Sequence, residues 1–132
     1  MTSLTRADWE QRAKTLTIET RAFVHGEYRS AESGATFECI SPVDGRLLGM
    51  VASCDQADAD VAVKDARATF ESGVWSRMAP AKRKKVMIRF AELIEEHGQE
   101  LALLETLDMG KPISDSLSID VGSAANAIRW SG

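Results

Sequence analysis

The sequence predicts two β-hairpins followed by a run of three to five α-helices. Between positions 22 and 52, apolar and polar residues alternate around turn-forming residues, the period of a half-buried strand. From Asp55 onward the apolar residues recur every three or four positions, the spacing of one helical face. Gly73, Pro80, Gly98, Gly110 and Pro112 punctuate that second half and divide it into separate helices.

The first element is a short amphipathic helix. Thr5 is a candidate N-cap with Asp8 three residues on, and Trp9, Ala13 and Leu16 recur on one face. Phe23-Val24 and Glu27-Tyr28 flank His25-Gly26 and form a small hairpin, with Gly26 supplying the positive φ of its turn. Positions 29–34 are small and polar and predict a loop. In the second hairpin Phe37 and Cys39 share one face, and Thr36, Glu38 and Ile40 the other. Pro42-Val43-Asp44-Gly45 makes the turn, because proline presets φ and glycine takes the left-handed position. Leu47 to Ala52 returns as the partner strand.

Asp55, with Asp58 behind it, starts the next helix, whose expected inward stripe is Ala59, Val63, Ala66 and Phe70. Gly73 suits its left-handed end. Pro80 opens another helix at the position where its missing N–H costs nothing. Its expected stripe is Val86, Phe90, Leu93 or Ile94, and His97, with His97 part-buried near the helix C-terminus. Leu101, Leu104 and Asp108 share a further helical face, closed by Gly110 and Pro112. A last helix carries Leu117, Val121, Ala124 or Ala125, and Ile128. Trp9, Trp75 and Trp130 are expected to anchor packing.

Composition narrows the function classes. The 132 residues carry 16 basic and 20 acidic side chains for a net charge of −4, so a face for nucleic acid or anionic lipid is not expected. Lys82-Arg83-Lys84-Lys85 with Arg89 is followed on the same helix by Glu92, Glu95, Glu96 and Glu100. It is best read as a solvated face, with Arg89 meeting Glu92 at i+3. No apolar stretch approaches the roughly 20 residues that span a bilayer, and Met1 to Asp8 contains no signal-peptide pattern. Cys39 and Cys54 cannot build a disulfide scaffold or a four-cysteine zinc site, and packed, reduced thiols in a cytoplasmic protein are expected. His25 and His97 lack metal-ligand spacing. Glycine-rich nucleotide loops and a nucleophile elbow are missing from the sequence, and neither cysteine has a histidine nearby in sequence to activate it.

Two hairpins leave strand edges that need pairing, and the apolar stripes outnumber the faces available to cover them. The chain is therefore expected to be an incomplete domain that associates with itself.

The segment Glu105-Thr106-Leu107-Asp108-Met109-Gly110-Lys111-Pro112 closely resembles the E-T-L-D-x-G-K-P motif of the aldehyde dehydrogenase superfamily. Phe23-Val24-His25-Gly26-Glu27-Tyr28 resembles that family's F-I-x-G-E-W/Y hairpin, and Phe37 through Gly45 its F-x-x-x-x-P-x-x-G turn. Asp60 through Phe70 is similar to D-x-A-V-x-A-A-R-x-A-F, and Trp75 and Pro80-Ala81-Lys82-Arg83 follow in the family's order. The resemblance covers nearly the whole chain. Within the family, Glu100 through Glu105 and Ala127-Ile128-Arg129-Trp130 look most like the γ-glutamyl-γ-aminobutyraldehyde dehydrogenases.

The resemblance implies an α/β fold for the parent enzyme, of which positions 1–132 are the N-terminal segment. It implies NAD(P)-dependent oxidation of an aldehyde, possible aminoaldehydes included, to a carboxylic acid by a homo-oligomer. The family's nucleophilic cysteine, its glutamate base and its NAD or NADP site lie downstream. This segment is therefore expected to be inactive alone, to bind no dinucleotide, and to partner the remainder of the enzyme chain. Two sets of positions match family sites. The carbonyls of Cys39 and Ile40 with the Asp108 carboxylate match a monovalent cation site for K⁺ or Na⁺, the alternative being that Asp108 only caps backbone N–H groups. Asp120 and Ser123 match positions on the wall of the substrate tunnel, the alternative being packing. The competing reading of the whole chain is a non-catalytic helical interaction module.

Overall fold

The computed structural model describes residues 4–132, so residues 1–3 of the stretch read for a signal peptide lie outside it. Helix α1 spans Arg6–Thr15. Its capping box is complete: Thr5 N–H donates to Asp8 Oδ2 at 2.8 Å, and Asp8 N–H to Thr5 Oγ1 at 3.3 Å. Strands β1 (Ala22–Val24) and β2 (Glu27–Arg29) pair antiparallel, as do β3 (Thr36–Ile40) and β4 (Leu47–Ala52). Each pair is its own two-stranded sheet. Helices α2 (Gln56–Ser72), α3 (Pro80–Glu96) and α4 (Gly98–Met109) follow. A final run joins α5 (Ile113–Asp115), a π-helical stretch (Ser116–Val121) and α6 (Gly122–Trp130). Hairpins followed by helices is the architecture the sequence predicts.

The first turn uses two left-handed residues, His25 at φ 57° and Gly26 at φ 77°, the two-residue turn that matches strand twist. Only the glycine was expected to have positive φ. The second turn closes as predicted. Gly45 takes φ 72°, its N–H donates to Ser41 O, and Ser41 N–H donates to Arg46 O. Ser41 is fully buried because the turn lies on the end of α4. There Gly110 terminates the helix at φ 76°, and a Cβ on it would meet Pro42 Cγ at 3.1 Å. Arg46 Nη2 ties the same turn to α1 by donating to Ala13 O. The strand beyond receives the chain segment ahead of β1, since Ala52 N–H donates to Thr20 O.

The core sits where α4 meets the final helical run and where that run lies on α3. Its buried apolar side chains are mostly small: Ala91, Ala102 and Ala125 are fully buried, and Leu103 and Leu107 nearly so. Gly98 is buried at the start of α4, where an added Cβ would lie 3.1 Å from Val121 Cγ1.

Several expectations are corrected. On α2, Ala59, Val63, Ala66 and Phe70 all face solvent, and the covered residue is Asp58. Among the described residues no element lies over that stripe. On α3, Val86, Phe90, Leu93 and His97 are exposed, and of the expected stripe Ile94 is half-buried. The final helix lies instead beside Met87 and Glu95, where Arg129 Nη2 donates to Glu95 at 2.7 Å and Met87 abuts Gly132. That shift of the covered face by one position follows from where α6 docks. His97 therefore joins α3 to α4 with an exposed ring, 3.7 Å from Glu100. Of the three tryptophans only Trp9 is half-buried, whereas Trp75 and Trp130 are exposed. Cys54 is an exposed thiol rather than a packed one, because it lies past the end of β4.

Candidate functional site

The site is built from the second hairpin and α4. The turn of the hairpin rests on the C-terminal end of α4, and this brings β3 alongside the last turn of that helix. Cys39 Sγ donates to Asp108 Oδ1 at 3.2 Å, joining positions 69 residues apart. Thr20, Gly49, Leu104 and Glu105 line the same cleft. Gly49 is required there: a Cβ on it would fall 2.7 Å from Thr20 Cγ2.

Of the three predicted cation positions, Cys39 and Asp108 are thus side by side, and Ile40 is the next residue of β3. The pairing register shifts between Cys39 and Ile40, where Cys39 faces Gly49 and Ile40 faces Leu47. Such an irregularity turns backbone groups out of the regular ladder. Asp108 shares a helical face with Leu101 and Leu104, yet it is exposed at the rim of the cleft. The reason is that α4 buries Leu103 and Leu107 instead, the face beside the one that carries Leu101 and Leu104. The carboxylate holds the Cys39 thiol above its ordinary pKa, first through the hydrogen bond, with burial adding to it. This favours the neutral thiol and fits an inert cysteine rather than a nucleophile.

The predicted tunnel positions lie on the final helical run. Asp120 sits in the π-helical stretch and accepts a bond from Lys111 Nζ. That hydrogen bond raises the Lys111 pKa, with Glu105 and Asp115 contributing at longer range. Asp120 faces a cleft floored by Phe90, Leu101, Val121 and Ala124. Ser123 is exposed on α6 and does not line that cleft. The structure does not bring the pair Asp120 and Ser123 together on it.

Lys111 had no role in the sequence reading. It pairs with Asp120 across a helix end and a proline, nine residues away, a separation that no helical or strand period reports. The basic run on α3 is solvated as expected: Arg89 pairs with Glu96 at 2.7 Å and Glu92 at 3.4 Å. Among the described residues, no group of three or more His, Cys, Asp and Glu side chains is arranged to hold a metal ion. No described helix is long and apolar enough to cross a membrane.

Residues 28–132 match the model of the aldehyde dehydrogenase family. The chain belongs to the aldehyde dehydrogenase family. It is 49% identical over 124 residues to the NADP/NAD-dependent aldehyde dehydrogenase PuuC of Escherichia coli, covering 94% of this chain and 25% of that one. It is 44% identical over 127 residues to the aminoacetaldehyde dehydrogenase of Pseudomonas aeruginosa, covering 96% and 26%. Among solved structures, the aldehyde dehydrogenase KauB from Pseudomonas aeruginosa is 72% identical with a TM-score of 0.96. The indole-3-acetaldehyde dehydrogenase AldA of P. syringae, in complex with NAD⁺, is 68% identical with a TM-score of 0.97. Both matches cover 98% of this chain and 26% of the other. A γ-glutamyl-γ-aminobutyraldehyde dehydrogenase from Burkholderia cenocepacia is 51% identical with a TM-score of 0.95, covering 96% and 26%. The chain spans about a quarter of the length of the curated relatives it matches.

The strand-to-helix junction of this segment does not suit the pyrophosphate of a dinucleotide. Among the described residues the one strand-to-helix junction is β4 to α2. Two of its N–H groups are taken by carboxylates, Ala57 N–H by Asp55 and Asp55 N–H by Asp58. A pyrophosphate needs those donors and meets two negative charges instead.

Proposed function

We propose that this chain is the N-terminal segment of an NAD(P)-dependent aldehyde dehydrogenase that oxidises an aldehyde to a carboxylic acid. The family membership, together with coverage of a quarter of each relative, carries the reading. The segment supplies framework rather than reacting groups. Of its two thiols, Asp108 favours the neutral form of Cys39, and Cys54 is an exposed free cysteine. NAD(P), bound by residues outside this segment, supplies the hydride acceptor.

Within that enzyme the Asp108 carboxylate and the carbonyls of Cys39 and Ile40 would hold K⁺ or Na⁺. Oxygen donors with one negative charge suit a hard monovalent ion, and the hairpin's seat on α4 already puts Cys39 beside Asp108. Asp120 would line the approach of the aldehyde. We assign the substrate class as aldehydes of amines. The relatives include enzymes named for aminoacetaldehyde and γ-glutamyl-γ-aminobutyraldehyde. The greater identity to the indole-3-acetaldehyde enzyme than to the γ-glutamyl one favours a second reading, an aromatic aldehyde. The exposed stripes of α2 and α3 would be covered by the rest of the enzyme and by its homo-oligomer.

A segment exchange tests this reading. Positions 1–132 replace the matching segment of the indole-3-acetaldehyde dehydrogenase, and NAD⁺ reduction is followed with amino, γ-glutamylamino and indole aldehydes. Retained turnover with at least one of them is expected. A folded, NAD⁺-binding chimaera that oxidises none would leave the interaction-module reading standing.

A further inference from the structure

The first hairpin is fastened to α2 by a titratable bond. His25 Nδ1 meets Asp65 Oδ1 across 40 residues. Among the described residues it is the only side-chain hydrogen bond between β1–β2 and α2, and His25 is the only hydrogen-bond partner of the Asp65 carboxylate. The Asp65 side chain is 26% exposed, whereas the His25 ring is 78% exposed. The proton donor is therefore the more solvated partner, and the acceptor is half-buried. His25 also occupies a left-handed turn position, φ 57°, which few side chains adopt freely. The turn aims its ring at the helix.

We propose that the His25–Asp65 pair is a pH-operated latch that docks the β1–β2 hairpin on α2 and loosens it when His25 loses its proton. Protonated imidazole donates through Nδ1 with a full charge, and such bonds are about twice as strong as neutral ones. Neutral imidazole can still donate through Nδ1, but only in one tautomer and without the charge. The other charged groups on this cleft are Glu27 and Arg29 from β2 and Lys64 from α2. Glu27 reinforces protonation, whereas Arg29 and Lys64 have the sign of His25⁺. The His25 pKa is raised, first by the hydrogen bond it donates to Asp65 and then by the charge of that carboxylate. A raised pKa in the docked state means the extra stability is present below the undocked imidazole value. It is lost as pH rises through the docked value. Release opens the cleft between Val24 of β1 and Val61 and Ala68 of α2.

The test is an NMR titration of the 132-residue chain from about pH 5.5 to 8.5, a range that brackets the ordinary imidazole value of about 6.5. His25 and His97 are the two histidines, so His25→Asn assigns the signals while keeping a residue tolerant of the left-handed turn. The ring titration is read beside amide protection in β1–β2, corrected for intrinsic exchange, with α3 and α4 amides as the control. In wild type, His25 should titrate above 6.5 and hairpin protection should fall several-fold through the same midpoint. In Asp65→Asn and His25→Asn, hairpin protection should be low at every pH while α3 and α4 are unchanged. A flat wild-type hairpin profile overturns the latch. So does a pH dependence that survives in Asp65→Asn, or a His25 midpoint that this substitution leaves in place. Should a variant lose α3 and α4 protection as well, the wild-type profile decides alone.

Discussion

Cys39 on β3 donates its thiol hydrogen to Asp108 on α4 at 3.2 Å. One bond thereby joins the second hairpin to α4, at the point where the second turn rests on Gly110. The carboxylate disfavours the thiolate next to it.

Alkylation should therefore distinguish the two cysteines. At mildly alkaline pH, iodoacetamide should modify exposed Cys54 before Cys39. Asp108→Asn keeps the shape and removes the charge, so it should speed the Cys39 reaction and leave Cys54 unchanged. Peptide mass spectrometry over time reads both sites, and equal rates at Cys39 in the two proteins would refute the coupling.

Asp58 is a second junction. It accepts from Asp55 N–H at 3.1 Å as part of the α2 capping box and from Glu32 N–H at 2.9 Å. It is 8% exposed. Asp58→Ala strands two backbone donors, and a buried donor without a partner costs about 1–3 kcal/mol. Urea unfolding should show a loss in that range, larger than for Asp60→Ala on the exposed side of the same helix.

The small residues between helices set a third expectation. Ala125 is fully buried on α6, and Gly98 is in contact with Val121. Ala125→Leu should cost about 1–3 kcal/mol by overpacking. Gly98→Ala must displace Val121 by a few tenths of an ångström and should cost less. Reversing that order would show that the helical core is looser than its buried alanines indicate.

The pattern of successes in the sequence is physical. The caps Thr5–Asp8 and Asp55–Asp58 and the turn ending at Gly45 are local, so residues within three or four positions decide them. The burial of α2 and α3 is tertiary. A stripe such as Ala59, Val63, Ala66 and Phe70 says which face is apolar, not whether this chain brings anything to cover it. Lys111–Asp120 and His25–Asp65 span a helix end and 40 residues respectively, so no spacing rule reports them. The Cys39–Asp108 neighbourhood was legible only through the family resemblance.

Glu19 gives a pH signature at the chain's surface. The Arg21 guanidinium and backbone N–H both donate to it and hold its pKa down to about 2. A depressed carboxylate pKa means the interaction is fully present above the unfolded value of about 4.5 and lost as pH falls toward about 2. A carboxyl ¹³C titration should find Glu19 midway near that low value. Arg21→Ala should return it to the ordinary glutamate range, and a Glu19 midpoint unaffected by that change would contradict the assignment.

The central claim is that this segment frames an aldehyde dehydrogenase without contributing the atom that attacks the aldehyde. The purified 132-residue chain, given NAD⁺ or NADP⁺ with amino and indole aldehydes, tests it most directly. No aldehyde-dependent reduction of either cofactor is expected. Turnover by the chain alone, abolished by Cys39→Ser or by Cys54→Ser, would contradict it.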